Sequence, residues 1–189
     1  FYQIINKMSD TEIVDGARDF RLMSRKMTDA VLSMAEYNRF SKGIFSWVGF
    51  KTKWFDYENP LHPLFTNRPN YAIIKPTKTL TKAGHTMLIS LIVPCYNEEE
   101  AMPLFYKEAS RVAAEMKASH GAEFEFIFVD DGSRDGTLRV ARALHAQDPR
   151  VRYVSFSRNF GKEAGIYAGL QAAKGLSLIH ISEPTRPRL

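Results

Sequence analysis

Residues 88–94 read LISLIVP, a short apolar run interrupted only by Ser90 and closed by a proline. It is rich in branched side chains and too short for a helix, as expected of a strand buried on both faces. Working outward, Met102 to Ala118 has helical spacing, with Leu104, Phe105, Ala109, Val112, Ala113 and Met116 on one side. Phe124 to Val129 (FEFIFV) reads as a second strand. Leu138 to Ala146 is the next helix, carrying Leu138, Val140, Ala141 and Leu144, and Val151 to Phe156 a third strand. Glu163 to Ala173 completes the series as a third helix. Strand and helix alternate three times with short connections, which predicts right-handed crossovers and a parallel α/β sheet.

The whole chain has 189 residues and a formal charge of +5, from 26 Lys and Arg against 21 Asp and Glu. That length suffices for one ordinary domain. With 44% hydrophobic and 25% charged residues the composition is globular, which argues against wholesale disorder. The single cysteine, Cys95, excludes an internal disulfide framework and a zinc site built on several cysteines. No run approaches the roughly 18–20 apolar residues a membrane span needs, and the first residues show no signal-peptide pattern. The basic balance suits anionic partners without naming one.

Charge is unevenly placed. Between Pro60 and Asn97 there is no acidic residue, while Arg68, Lys75, Lys78 and Lys82 sit among Pro60, Pro63, Pro69 and Pro76. Proline removes backbone donors and biases its predecessor away from helix, so residues 60–86 read as an irregular linker between two pieces.

Ligands of parallel α/β sheets bind outside the carboxyl ends of the strands. Here those ends carry Pro94-Cys95-Tyr96-Asn97-Glu98, then Asp130-Asp131-Gly132-Ser133, then Ser157-Arg158-Asn159. Neither a GxGxxG turn nor a Walker loop occurs. Glu98, Glu99 and Glu100 open the first helix instead; they suit its dipole and would repel a phosphate arriving there. A diphosphate bound at this edge would be neutralised elsewhere, most simply by Mg²⁺ or Mn²⁺ on carboxylates. This favours a metal-bridged nucleotide over a dinucleotide coenzyme.

Pro94-Cys95-Tyr96-Asn97-Glu98-Glu99, followed by the run Val129 to Thr137 (VDDGSRDGT), resembles the start of an inverting family 2 glycosyltransferase. Residues 157–164 (SRNFGKEA) narrow the resemblance to the polyprenyl-phosphate glycosyltransferases, relatives of dolichyl-phosphate mannose synthase. It covers about Met87 to Gly175 and implies a GT-A fold, present here in part. It also implies a UDP- or GDP-sugar donor, a polyprenyl-phosphate acceptor and work at the cytoplasmic face of a membrane. On this resemblance Tyr96 lies against the nucleobase, with Pro94 and Glu98 framing base and ribose. Asp131 bonds the base or ribose, Asp130 supports that loop, and Lys162 approaches the diphosphate. The plainer readings are strand-end packing for Tyr96, a helix-dipole carboxylate for Glu98 and a solvated lysine at a helix start for Lys162. Gly132, Asp135, Gly136 and Thr137 read as turn and cap chemistry, and Cys95 as a small packing residue.

The N-terminal piece resembles the later half of the same catalytic domain through Phe1 to Lys7, Asp15 to Met23 (DGARDFRLM) and Asn38 to Phe50. The resemblance makes Asp19 the general-base candidate and Arg21 a phosphate clamp. A lipid phosphate is already anionic, so the role of Asp19 would be mostly positional. Arg39, in Glu36-Tyr37-Asn38-Arg39-Phe40, stands where relatives show a Gln-x-x-Arg-Trp signature and would meet the acceptor phosphate. The alternative for Asp19 and Arg21 is pairing with surface partners.

In the family the two portions occur in the opposite order, separated by a strand ending in Asp-x-Asp that grips the metal. None of the nine aspartates here has another two positions on, so that motif is absent. Two joined fragments explain both the order and the loss, with residues 1–59 from the later half and 87–175 from the nucleotide-binding half. Residues 176–189 form a tail: Leu176 to Arg186 (LSLIHISEPTR) matches the in-frame translation of a transposase-type sequencing-library adapter. That tail is set aside from the fold, so residues 87–175 are expected to leave one sheet edge unpaired where the metal-bearing strand belongs.

The expected function is transfer of a hexose-type sugar from a nucleotide donor to polyprenyl phosphate, with this chain inactive for want of the metal carboxylates. Two rivals are a non-catalytic nucleotide-binding module and a basic membrane-surface-binding protein using Lys51, Lys53, Arg68, Lys75, Lys78 and Lys82. A nucleic-acid partner is not expected, because no recognised motif or aromatic–basic groove accompanies these cations.

Overall fold

The computed structural model describes residues 20–34, 50, 87–175 and 177–181. In chain order it contains β1 (Phe20–Ser24), α1 (Arg25–Ser33), β2 (Met87–Cys95), α2 (Ala101–His120), β3 (Ala122–Asp130), α3 (Thr137–Gln147), β4 (Val151–Ser155), α4 (Lys162–Ala172) and β5 (Ser177–Ile181). The linker reading of residues 60–86 lies outside the described residues, as does most of the 1–59 fragment.

The strands form one five-stranded sheet in the order β1-β5-β2-β3-β4. β2, β3 and β4 are mutually parallel, with Ser90 opposite Glu125 and Val129 opposite Val154. β5 runs parallel to β2, and β1 antiparallel to β5. The expected α/β class is therefore observed, on a partial GT-A-like arrangement of parallel strands with helices on both faces.

The period of two along the strands splits the core into two layers. Ile89, Leu91 and Val93 of β2 share one layer with Phe124, Phe126 and Phe128 of β3, under Met102 and Ala113 of α2 and Ala141 and Leu144 of α3. Ile92, Ile127 and Val129 face the other way, against Ile166 and Leu170 of α4, Val31 of α1, Met23 and Leu178. Phe126 and Phe128 are fully buried, and burial of such a ring is worth roughly 1.5–3 kcal/mol. Gly169 lets α4 lie directly on β2, because a Cβ there would stand 2.3 Å from a methyl of Ile92.

The α2 face differs from the expected one. Leu104 is 71% exposed and Val112 39% exposed, while Met102, Phe105, Tyr106, Ala109, Ala113 and Met116 turn inward. That set keeps the i, i+3, i+4, i+7 spacing that Leu104 and Val112 break.

The expected open edge of β2 is a second correction. Ser177–Ile181 takes the place beside β2, pairing Ile89 with Ser177 and Ile92 with His180. An unpaired parallel edge accepts a short apolar segment through its ladder, and SLIHI supplies one, with Leu178 completely buried. β1 then closes β5 on its far side, so the N-terminal piece joins the same sheet.

Opposite the ligand edge, near the amino ends of β2 and β3, a buried polar cluster fastens α4. Glu125 accepts from Ser90 Oγ at 2.5 Å, from the Lys174 N–H at 2.7 Å and from Arg152 at 3.1 Å. Arg152 also donates to the Ala172 carbonyl at 2.6 Å, and Arg25 of α1 to the Ala173 carbonyl at 2.6 Å. Two cations thus satisfy carbonyls at the C-terminal end of α4, where the helix dipole favours positive charge.

Candidate functional site

The carboxyl ends of β2, β3 and β4 continue into three loops that form one rim. Asn97, the sole non-glycine residue with positive φ among the described residues, turns the chain out of β2. Asparagine is one of the few non-glycine residues that enter that conformation. Its side-chain oxygen Oδ1 accepts from the Arg134 N–H at 2.9 Å, while its backbone N–H donates to Ser133 Oγ at 3.0 Å. The Glu98 N–H donates to Thr137 Oγ1 at 2.7 Å, and the Glu99 N–H to Asp135 at 3.2 Å. The β2 and β3 loops are thus laced together by side-chain and backbone partners far apart in sequence.

Glu99 caps α3 rather than only opening α2. Its carboxylate accepts from the Gly136 N–H at 2.8 Å and pairs with Arg139. Asp135 accepts from the Thr137 N–H at 3.0 Å. Burial alone would raise the Asp135 carboxyl, but hydrogen bonds from Thr137 and the Glu99 N–H outweigh it and hold it below its ordinary value. The turn-and-cap reading of Asp135, Gly136 and Thr137 describes this geometry.

Asp130 and Asp131 are buried, at 2% and 4% exposure. Asp130 accepts from the Ser133 N–H at 3.1 Å and from Ser155 Oγ at 3.1 Å, so it holds both its own loop and the end of β4. Asp131 accepts from the Phe160 N–H at 2.7 Å through one oxygen and from the Gly161 N–H at 2.9 Å through the other. Its hydrogen bonds run to the third loop of the rim. The next residue, Gly132, has φ +66°, and a Cβ there would fall 2.3 Å from the Arg158 carbonyl carbon. No other residue type fits that contact between the second and third loops.

Tyr96 projects from the rim with 40% exposure, and Phe160 with 52%. The Arg158 guanidinium lies 4.7 Å from the Phe160 ring centroid, and Phe160 meets Phe156 edge-on at 5.5 Å. Pro94 is buried under α4, its side chain facing Gly165. It sits two residues past the last β2 residue paired with β5, where its missing N–H costs no ladder bond. Glu98 and Lys162 are half-buried, the latter at the start of α4. Burial, with Glu98 and Asp130 nearby, pushes the Cys95 thiol far above its ordinary range, leaving a neutral packing group.

Arg21 lies one residue from the end of β1 that reaches this same edge, opposite residue 180. Asp19 and Arg39 lie outside the described residues. Sequence reading had no signal for the lacing by Asn97, Ser133 and Glu99, because each partner is more than thirty positions away.

The chemistry of the donor set does not fit Mg²⁺ or Mn²⁺. Among the described residues no group of three His, Cys, Asp or Glu side chains could hold a metal ion. The two buried aspartates are engaged by protein N–H and O–H groups. Among the same residues no helix is long and apolar enough to cross a membrane.

Comparison with known proteins adds a family likeness. Residues 90–180 match the model described as Glycosyl transferase family 2. The "Prophage bactoprenol glucosyl transferase homolog" of Escherichia coli (strain K12) is 48% identical over 95 residues, which are 50% of this chain and 30% of that protein. The "Bactoprenol glucosyl transferase" of Shigella phage SfV is 48% identical over the same shares. The "Uncharacterized glycosyltransferase YkcC" of Bacillus subtilis (strain 168) is 37% identical over 92 residues, 49% of this chain and 27% of that protein. The chain spans about 30% of the length of the curated relatives it matches. Residues 90–180 of this chain are thus similar to family 2 glycosyltransferases, and that stretch includes the parallel strands whose loops make the rim.

Proposed function

We propose that the rim is the donor-nucleotide seat of an inverting glycosyltransferase that moves a hexose-type sugar from a UDP- or GDP-sugar to a polyprenyl phosphate. In the reaction a phosphate oxygen of the acceptor forms a bond to the anomeric carbon as the nucleoside diphosphate leaves with the bonding electrons. An exposed aromatic ring and rim cations serve such a donor, since stacking holds the base and positive charge meets the diphosphate. The bactoprenol glucosyl transferase names of the relatives support a bactoprenol-type acceptor and a glucose-type sugar; the cytoplasmic face of a membrane is proposed as the place of reaction.

The observation that carries the reading is the fastening of the β2, β3 and β4 loops into one rigid edge around Tyr96. Pre-organisation of this kind is what positions a donor for displacement. Tyr96 is proposed to stack on the base, Pro94 and Glu98 to frame it, and Lys162 to approach the diphosphate. Asp19, Arg21 and Arg39 are proposed for the acceptor side. The described carboxylates offer no metal grip and the sequence has no Asp-x-Asp, so the chain is proposed to bind the donor without turnover.

Titration calorimetry of the 189-residue chain with UDP-glucose and a GDP-hexose tests this directly. Binding of one of them, weakened roughly tenfold in Tyr96→Ala, supports the reading. Silence with both from a folded chain contradicts it, as does binding that Tyr96→Ala leaves intact. Transfer of radiolabelled sugar to polyprenyl phosphate by this chain alone would overturn the inactive assignment.

A further inference from the structure

Tyr96 stands at the rim without support from its own side chain. It is 40% exposed, and among the described residues that side chain has neither a hydrogen bond nor a ring partner. A ring so placed binds tightly only if the backbone carrying it is already ordered, because ordering it on binding costs free energy. The backbone before it is ordered by the sheet. Cys95 pairs with Asp130 in the ladder, and its carbonyl accepts from the Asp131 N–H at 2.9 Å. The backbone after it is ordered by Asn97.

Asn97 has φ +56°, a region that few side chains other than asparagine enter. Two hydrogen bonds hold it there. Its backbone N–H donates to Ser133 Oγ at 3.0 Å, and its Oδ1 accepts from the Arg134 N–H at 2.9 Å. Ser133 is itself anchored, since its N–H donates to the buried Asp130 carboxylate at 3.1 Å. A line of fixed groups thus runs from Asp130 through Ser133 to Asn97 and ends beside Tyr96. The following residue is tied as well, the Glu98 N–H donating to Thr137 Oγ1 at 2.7 Å, so the turn cannot relax by shifting the start of α2. We infer that Asn97, held by Ser133, is the positioning residue that aims Tyr96 at the base of the nucleotide. The inference rests on the donor-seat reading above and gives Asn97 no contact with the ligand.

The test measures the affinity of the full 189-residue chain for UDP and for GDP by calorimetry, and the ¹⁵N order parameter of the Tyr96 amide. Asn97→Gly keeps access to positive φ but removes the oxygen that accepts from Arg134. For the nucleotide that binds, it should weaken affinity roughly threefold to tenfold and lower the order parameter at residue 96. In a Tyr96→Ala background the same substitution should change affinity by less than about twofold, because the ring through which Asn97 acts is gone. A merely structural loosening of the rim would lower affinity in both backgrounds. Asn97→Asp keeps an accepting oxygen and tolerates positive φ, so it should hold the order parameter at the wild-type value. Ser133→Ala removes the acceptor of the Asn97 N–H and should act in the same direction as Asn97→Gly; it keeps the test open if Asn97→Gly does not fold. Wild-type binding that Tyr96→Ala weakens but Asn97→Gly or Ser133→Ala leaves intact overturns the inference while the donor-seat reading stands. So does an equal loss from Asn97→Gly with and without the Tyr96 ring. A folded wild-type chain that binds neither nucleotide, or binds one regardless of Tyr96→Ala, removes both readings.

Discussion

The two sides of the sheet are held by different means. At the rim, residues 96–99 and 131–137 exchange hydrogen bonds between partners 36–39 positions apart, each needing a particular side chain. On the flank, β5 and β1 are held by a backbone ladder and by apolar burial of Leu178 and Met23. A ladder makes few demands on sequence beyond strand propensity and alternation. The flank can therefore be filled by a generic segment, whereas the rim accepts few substitutions. This contrast explains how the five residues Ser177–Ile181, from a tail with no motif, complete a sheet whose chemistry lies elsewhere.

Removing the flank strand should have the largest effect. A chain ending at Gly175 loses β5 and, with it, the partner of β1 among the described strands. It should melt broadly and self-associate through the bared β2 edge, read by calorimetry and sedimentation. Replacing residues 177–181 with an alternating valine–threonine segment should restore a cooperative melt. Failure of that replacement would mean the flank is as sequence-specific as the rim.

Gly132→Ala attacks the rim instead. It adds a side chain at φ +66° and against the Arg158 backbone, which should cost about 3 kcal/mol or more in denaturant unfolding. A cost under about 1 kcal/mol would show that the second and third loops move apart freely.

The cluster under α4 should respond to acid. Burial by itself raises the Glu125 carboxyl, but hydrogen bonds from Ser90, the Lys174 N–H and Arg152 outweigh it, so the net shift is downward. A carboxylate depressed in the folded state stabilises fully above its unfolded value, and that stability is lost as pH falls through the folded value. Stability should thus decline below about pH 4.5. Glu125→Gln should cost about 1–3 kcal/mol at neutral pH and flatten that decline. The Asp148 carboxyl contributes similarly: hydrogen bonding from Arg150, opposed by burial and reinforced by Tyr106, holds it at about 2. Its share is lost only as pH falls from 3.8 towards that value.

The two smallest effects concern binding alone. Tyr96→Ala should leave the melt within about 0.5 kcal/mol of wild type, since the ring is exposed. It should weaken nucleotide binding roughly tenfold, the worth of a lost base–aromatic stack. Exchanging Mn²⁺ for EDTA should not change nucleotide affinity, because the buried carboxylates of the rim already serve protein donors. A marked gain with Mn²⁺ would contradict that accounting.

Much of this was legible in the sequence because strands and helices announce themselves by period. The ends of β2 through α4 fall within two residues of where apolar spacing places them. The face of α2 was less legible: Leu104 looks like a core residue by type, and only the packing of Met102 and Tyr106 rotates it outward. Asp131 was visible as important, but its partners were not. Nothing in the local sequence shows that two N–H groups about thirty positions away will claim its oxygens. β5 was not legible as a strand of this sheet, since Ser177–Ile181 carries no motif and takes its meaning from the vacant edge of β2.

The central claim is that binding belongs to the rim and not to the flank. Amide spectra of the ¹⁵N-labelled chain, titrated with UDP and then GDP, test it most directly. Shifts concentrated in residues 96–99, 131–137 and 156–161, with 20–34 and 177–181 unmoved, are the predicted result. Shifts confined to the flank, or none from a well-folded chain with either nucleotide, would contradict it.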